Sequence, residues 1–275
     1  MSGQPKVLYK YRACDQYNAD ILLCNQLRFS RPKSFNDPFD SRFRIVHEGT
    51  DEQRKAFMLD GVARKHPDWS DEAKRKRVDE LLSQPGLFER TAEGQQLEYV
   101  ERELDRMEVL CLSEKRDNIL MWSHYAAQHT GICLGFDPEK WPLLKEYAKA
   151  VSYQDEYPLV NALSPNPEDR VRELVLIKSA DWEYEAEWRV VRAATENQRY
   201  IFPPEALVEV VFGHRVAPRD MRMVIIMVYR SSCEPTFWQT VPSDNRYELE
   251  IKPLTVTGSM VENWLKGLPL DESKA

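Results

Sequence analysis

Apolar and polar residues alternate along VLYKYR, so Val7–Arg12 predicts a short strand. Asp15–Asn25 then predicts a helix, and Leu27–Ser30 a second strand. In RPKSFNDPFDS, Pro32 and Pro38 bar continuous secondary structure, which makes this a turn-rich loop before a short strand at Arg42–Val46. From Asp51 to Arg106 the pattern becomes charged, periodic and poor in β-branched residues. It predicts two or three helices, broken near Pro67–Ser70 and Pro85–Gly86, with Ser70 or Asp71 capping the second.

Strands return at Glu108–Ser113 and Gly131–Phe136, on either side of a helix from about Asn118 to Gln128. Asp117 suits the N-cap of that helix and Gly131 its exit. Ala150–Tyr153, Glu187–Arg192 and Leu207–Phe212 read as further strands. A proline-bearing loop at Asn161–Pro167 leads to a helix at Glu168–Lys178. Pro218–Tyr229 reads as a helix, although MVIIMVY also has strand composition, and the alternating Tyr247–Ile251 closes the sheet. The sum is an α+β fold: one domain over residues 1–275, with a mixed, mainly antiparallel sheet split around a cleft and a helical insertion at about 51–106.

Composition narrows this picture. With 275 residues, 42% hydrophobic and 30% charged, the chain is globular and has ample length for a core. A net charge of -7 disfavours broad adhesion to nucleic acid or anionic membranes, though not a local basic groove. No run approaches the length of a membrane span, and the start of the chain has no apolar signal core. Five cysteines without C-x-x-C spacing argue against a disulfide framework and a structural zinc site. Cys111 and Cys133 read as small buried residues, and a reducing cytoplasm fits best.

Four segments carry candidate chemistry. On a strand, Glu185 and Glu187 share a face that Arg189 continues, while Tyr184, Ala186, Trp188 and Val190 form an apolar face. Two carboxylates there can divide labour, one stabilising a developing cation and the other orienting or deprotonating a nucleophile, or form a solvated face screened by Arg189. On the helix from Asn118, His124 or His129 can bond a polar ligand held against Trp122 and Tyr125, or sit at the edge of a core helix. No H-E-x-x-H pattern is present, so no metal site is expected. Ser30–Asp40 is a ligand wall or a structural corner, with Asn36 and Asp37 folding back on nearby amides. Lys10 and Arg12 alternate with Tyr9 and Tyr11 and suit a phosphate if they face a cleft. The KRKR run at Lys74–Arg77 is compensated by neighbouring acids and reads as an exposed helix face.

LYKYR, FSRPKSFNDPFD, VLCLS, MWSHYAAQHTGICLGF and WEYEAEWR, in this order from Leu8 to Gly213, resemble a bacterial family of uncharacterised proteins. A weaker resemblance is to the ADP-ribosyltransferase superfamily, carried by a basic residue on the first strand, a serine on a middle strand and E-x-E on a late one. It implies an ADP-ribosyltransferase-like fold, NAD as cofactor and Arg12 (or Lys10) supporting the dinucleotide. It also implies Ser113 (or Ser30) propping the site, Glu187 on the nicotinamide ribose and Glu185 positioning the acceptor, a protein or nucleic acid. The sequence has no S-T-S triplet. The competing reading is a non-catalytic module that senses a nucleotide in bacterial stress or phage defence, with Glu185 and Glu187 pairing with Arg189.

Overall fold

Leu8–Arg12 forms the strand around which the larger of two compact units is built. A computed structural model describes residues 3–164 and 167–266. Among these, the first unit takes in residues 3–30, 108–151 and 180–266, and the second residues 31–107 and 152–179. The helical block at 51–106 thus lies in the second unit, which also draws on a later stretch of chain.

The first unit carries an eight-stranded sheet. Its order is Leu249–Pro253, Thr236–Pro242, Leu207–Phe212, Ile132–Phe136, Leu8–Arg12, Met107–Ser113, Glu187–Ala193 and Lys149–Ala150. The class is therefore α+β with a large, mostly antiparallel sheet. Leu207–Phe212 and Thr236–Pro242 pair in parallel, and the helix Pro218–Tyr229 supplies the crossover that a parallel pair requires. Alternation divides the central strands between two faces. Leu8, Leu110, Leu112, Leu134, Val190 and Val210 pack in one core with Ile21 and Leu22 of the helix Asn18–Cys24, and with Val224 and Val228. Tyr9, Tyr11, Cys133 and Val211 pack in a second core with Met121 and Trp122 of the helix Ile119–Tyr125.

Leu8–Arg12 pairs with Ile132–Phe136 along its whole length, from Leu8↔Phe136 to Arg12↔Ile132. Towards Met107–Ser113 it pairs at Tyr9↔Ser113. Next to that pair the Lys10 ammonium, a side chain, donates to the Cys111 carbonyl at 2.8 Å. At Val109 the strand exchanges both backbone hydrogen bonds with Ser30 instead. A two-stranded antiparallel ribbon, Gln26–Arg28 with Arg199–Ile201, completes this unit.

The second unit holds the helices Asp51–Lys65, Asp71–Leu82 and Leu87–Asp105. Thr50 and Gln53 form a capping box, Ser70 caps the second helix, and Gly86 at φ 69° opens the third. Met58, Val62, Val78, Phe88 and Ala92 form its core. The helix expected at Glu168–Lys178 runs over Pro167–Leu174, and residues 165–166 of the loop before it lie outside the described residues. No helix among the described residues is long and apolar enough to cross a membrane.

Three local expectations need correction. The helix after Asp117 is capped by Asn118, whose Oδ1 accepts from the amides of Leu120 and Met121, so Asp117 is not the cap. That helix ends at Tyr125, not Gln128, because Ala127, Gln128 and His129 turn left-handed at φ 47°, 54° and 70°. The run expected as one strand, Ala150–Tyr153, divides between Lys149–Ala150 of the main sheet and Ser152–Gln154, which pairs with Ile177–Ser179 in the second unit.

Candidate functional site

A pocket of about 760 Å³ opens in the first unit at the end of the Leu8–Arg12 strand. Arg12, Arg28 and Arg199 bring three cations to it, and Tyr11, Tyr17 and Tyr125 three aromatic rings. Gln26, Asn197, Asp15 and Asp20 add polar groups. Arg12 reaches the pocket because it ends its strand, opposite Ile132. Gly131 beside it has no room for a side chain, since a Cβ there would lie 2.1 Å from the Arg12 carbonyl. In the ribbon, Leu27 faces the core and Gln26 and Arg28 face away, by strand alternation. Two of the arginines have acidic neighbours: Arg12 stands 3.7 Å from Asp15 and Arg199 3.2 Å from Asp20.

A line of contacts runs from the pocket into the sheet. The Tyr125 hydroxyl donates to Glu185 Oε1 at 2.7 Å. The Ser113 hydroxyl, itself buried, donates to the Glu185 carbonyl at 2.6 Å and accepts from the Lys115 amide at 3.1 Å. Asn118 fixes the neighbouring turn by donating to the Tyr184 carbonyl at 2.9 Å. Burial, with the nearby Glu185 charge, pushes the Tyr184 phenol up to about 12. Trp122 is fully buried, donates to the Arg116 carbonyl at 2.8 Å and meets Tyr11 edge-on at 5.3 Å. It is thus part of the core under Tyr125 and not a stacking platform. His124 is exposed, with its ring 6.2 Å from that of Trp182 and 6.3 Å from that of Tyr184.

Glu185 and Glu187 do not share a strand face. Glu185 ends a 3-10 turn over Ala180–Glu185, Ala186 takes a left-handed φ of 44°, and the strand begins at Glu187. Tyr184 and Ala186 accordingly leave the apolar face, which keeps Trp188 and Val190. Glu187 and Arg189 do alternate on one face, and the guanidinium grips both carboxylate oxygens at 2.9 Å. Both residues are buried, at 6% and 1% exposure. Burial pushes the Lys10 ammonium down from its ordinary value, against the raising influence of Cys111 and Glu187. Burial and the Glu187 charge push the Cys111 thiol up to about 12. Cys111 is half-buried and Cys133 fully buried, and all five cysteines are free.

The remaining expected residues are placed as follows. Ser30 is a backbone bridge partner of Val109 with an exposed side chain, so of the two serines it is Ser113 whose hydroxyl touches the E-x-E segment. Asn36 and Asp37 belong to the second unit, where the buried Asp37 accepts from the Phe39 amide at 2.9 Å in the local fold-back expected of it. Arg28, Arg199, Asn197 and Tyr17 went unread in the sequence; the alternation of Gln26 and Arg28 against Leu27 and Phe29 was the available signal. No group of three or more His, Cys, Asp or Glu side chains among the described residues could hold a metal ion.

Residues 121–190 match the model of a family described as a protein of unknown function, DUF2971, in agreement with the resemblance to an uncharacterised family. The matched stretch begins on the Tyr125 helix and ends just past Arg189, so it contains Tyr125, Glu185, Glu187 and Arg189. No curated protein and no solved structure matches the chain.

Proposed function

We propose that the first unit binds a nucleotide and acts as an ADP-ribosyltransferase-like enzyme, with NAD as donor and a protein or nucleic acid as acceptor. One observation carries the reading: Arg12 and Tyr125 both line the pocket, and the Tyr125 hydroxyl leads on to Glu185, whose carbonyl accepts from Ser113. A basic residue at the pocket, and a glutamate with its serine one contact behind Tyr125, thus come from three separated segments, in the order of that resemblance. The pocket also fits such a ligand. Its volume lies in the range of small-molecule sites, its arginines suit phosphates and its tyrosines suit aromatic rings. In this reading the change of partners after Tyr9↔Ser113 is the split of an ADP-ribosyltransferase-like sheet.

In the proposed reaction the ribose–nicotinamide bond breaks, nicotinamide leaves with the bonding electrons, and a nucleophile of the acceptor bonds to the sugar carbon and gives up its proton to solvent. Arg12 binds phosphate, and Tyr125 orients Glu185. Glu185 is the carboxylate tied to the pocket, so it takes the role of stabilising the sugar cation that Glu187 was expected to fill. Glu187 stays the partner of Arg189. That pair favours a second reading, a binding module without turnover, since one acid of the E-x-E is already neutralised. The test is to incubate the purified protein and Glu185→Gln with NAD, nucleic acid and bacterial lysate, following bound NAD and released nicotinamide. Release that vanishes in Glu185→Gln supports the enzyme. Binding without release gives the module, and no binding of NAD removes both readings of this ligand.

A further inference from the structure

Of the three arginines at the pocket, Arg28 differs in its surroundings. Arg12 and Arg199 have Asp15 and Asp20 beside them, whereas among the described residues no carboxylate pairs with Arg28. Its Nε and Nη2 instead donate to one neutral oxygen, Gln198 Oε1, at 3.1 and 2.9 Å. An amide oxygen orients a guanidinium without cancelling its charge. The positive charge therefore stands at the pocket wall in a fixed direction.

The orientation is anchored from below. Gln198 has a left-handed backbone at φ 53°, and its carbonyl accepts from the Phe29 amide at 2.8 Å. The loop that carries it is tied at both ends to the Glu108–Arg192 ion pair. The fully buried Glu108 accepts from the Thr195 amide and hydroxyl at 3.3 and 3.1 Å. Arg192 donates to Glu108 Oε1 at 2.6 Å and to the Arg199 carbonyl at 3.1 Å. Its guanidinium lies over the Phe29 ring at 4.1 Å and the Tyr200 ring at 5.3 Å. An ion pair with its acid fully buried costs desolvation and is weak evidence for stability by itself. Its geometric effect is definite: it fixes Gln198, and Gln198 fixes Arg28.

We infer that Arg28 is a second phosphate-contacting residue of the pocket beside Arg12, presented by Gln198 and held in place by the Glu108–Arg192 pair, for a ligand bearing a phosphate or diphosphate group. The inference deepens the nucleotide reading above and rests on the pocket being the ligand site. Arg28 then acts as a binding residue, and Gln198, Glu108 and Arg192 as positioning residues.

The experiment titrates the full chain with inorganic pyrophosphate and, separately, with NAD. It compares wild type, Arg28→Gln, Gln198→Asn and, as a control in the second unit, Arg170→Gln. Asparagine keeps the left-handed backbone of position 198 but is too short to hold the guanidinium. Loss of a charge-assisted bond predicts that Arg28→Gln weakens pyrophosphate binding about ten- to a hundredfold. Gln198→Asn should weaken it by less, while melting temperatures stay at the wild-type value because Arg28 is exposed. Arg170→Gln should bind as wild type does. If Arg28→Gln binds pyrophosphate as tightly as wild type, or wild type binds none, the inference is overturned. If wild type binds pyrophosphate through Arg28 but does not bind NAD, Arg28 remains an anion site and only the NAD reading fails.

Discussion

Arg189 clasps Glu187 from two positions further along the same strand, with both carboxylate oxygens 2.9 Å from guanidinium nitrogens and both side chains out of water. Removing the carboxylate charge of such a pair takes away charge-assisted hydrogen bonding out of water, which costs about 1.5–3 kcal/mol. Glu187→Gln is therefore expected to lower unfolding stability by that amount, read by urea denaturation. A Glu187→Gln protein as stable as wild type would show that the pair contributes no net structure and would return Glu187 to the chemistry.

Tyr125 borders the pocket and holds Glu185 through its hydroxyl. Tyr125→Phe keeps the ring and removes that bond, at about 1 kcal/mol of stability. On the enzyme reading, nicotinamide release should fall about tenfold or more while the melting temperature barely moves. Unchanged release would detach Tyr125 from the reaction.

Ser113 and Ser30 were equivalent as letters, and their contacts now separate them. Ser113→Ala strips a buried donor from the Glu185 carbonyl and an acceptor from the Lys115 amide, and should cost about 1–3 kcal/mol. Ser30→Ala removes only an exposed hydroxyl and should stay within about 0.5 kcal/mol of wild type. Chemical denaturation of the two variants side by side decides the matter; equal losses would contradict the assignment.

His129 and His214 pack with ring centres 4.8 Å apart. Burial holds both imidazoles below their ordinary value of 6.5, reinforced at His129 by His214 and Arg215 and at His214 by Arg215. The unfolded chain thus takes up protons on these rings before the folded chain does. Their contribution to stability is complete above about pH 6.5 and is lost as pH falls towards the depressed folded values. A double variant, His129→Asn with His214→Gln, should lose less stability than wild type between about pH 7 and about pH 5. Asparagine is chosen because His129 sits at φ 70°. Parallel stability curves would refute the prediction.

Strong periodicity made most elements readable, as in the three helices between Asp51 and Asp105 and the central strands at Leu8–Arg12 and Ile132–Phe136. Glu187 and Arg189 were legible as neighbours on one face because a strand does run through both. Glu185 was not, because the left-handed Ala186 between the two acids is a backbone choice that composition does not announce. The same holds at 127–129, where three non-glycine residues accept a left-handed turn costing about 1–2 kcal/mol each. The pocket's ribbon was invisible for another reason. Arg28 and Arg199 face each other in register across a long stretch of chain, and alternation within either short strand does not specify the other.

The position of Leu8–Arg12 inside the sheet also sets a timetable for biosynthesis. This strand leaves the ribosome before both of its sheet neighbours, which lie about 100 to 125 residues later, a wait of roughly 5–25 s at ordinary translation rates. During that wait LYKYR exposes two unpaired edges. The charges of Lys10 and Arg12 would meanwhile discourage the nascent segment from pairing with the wrong strand.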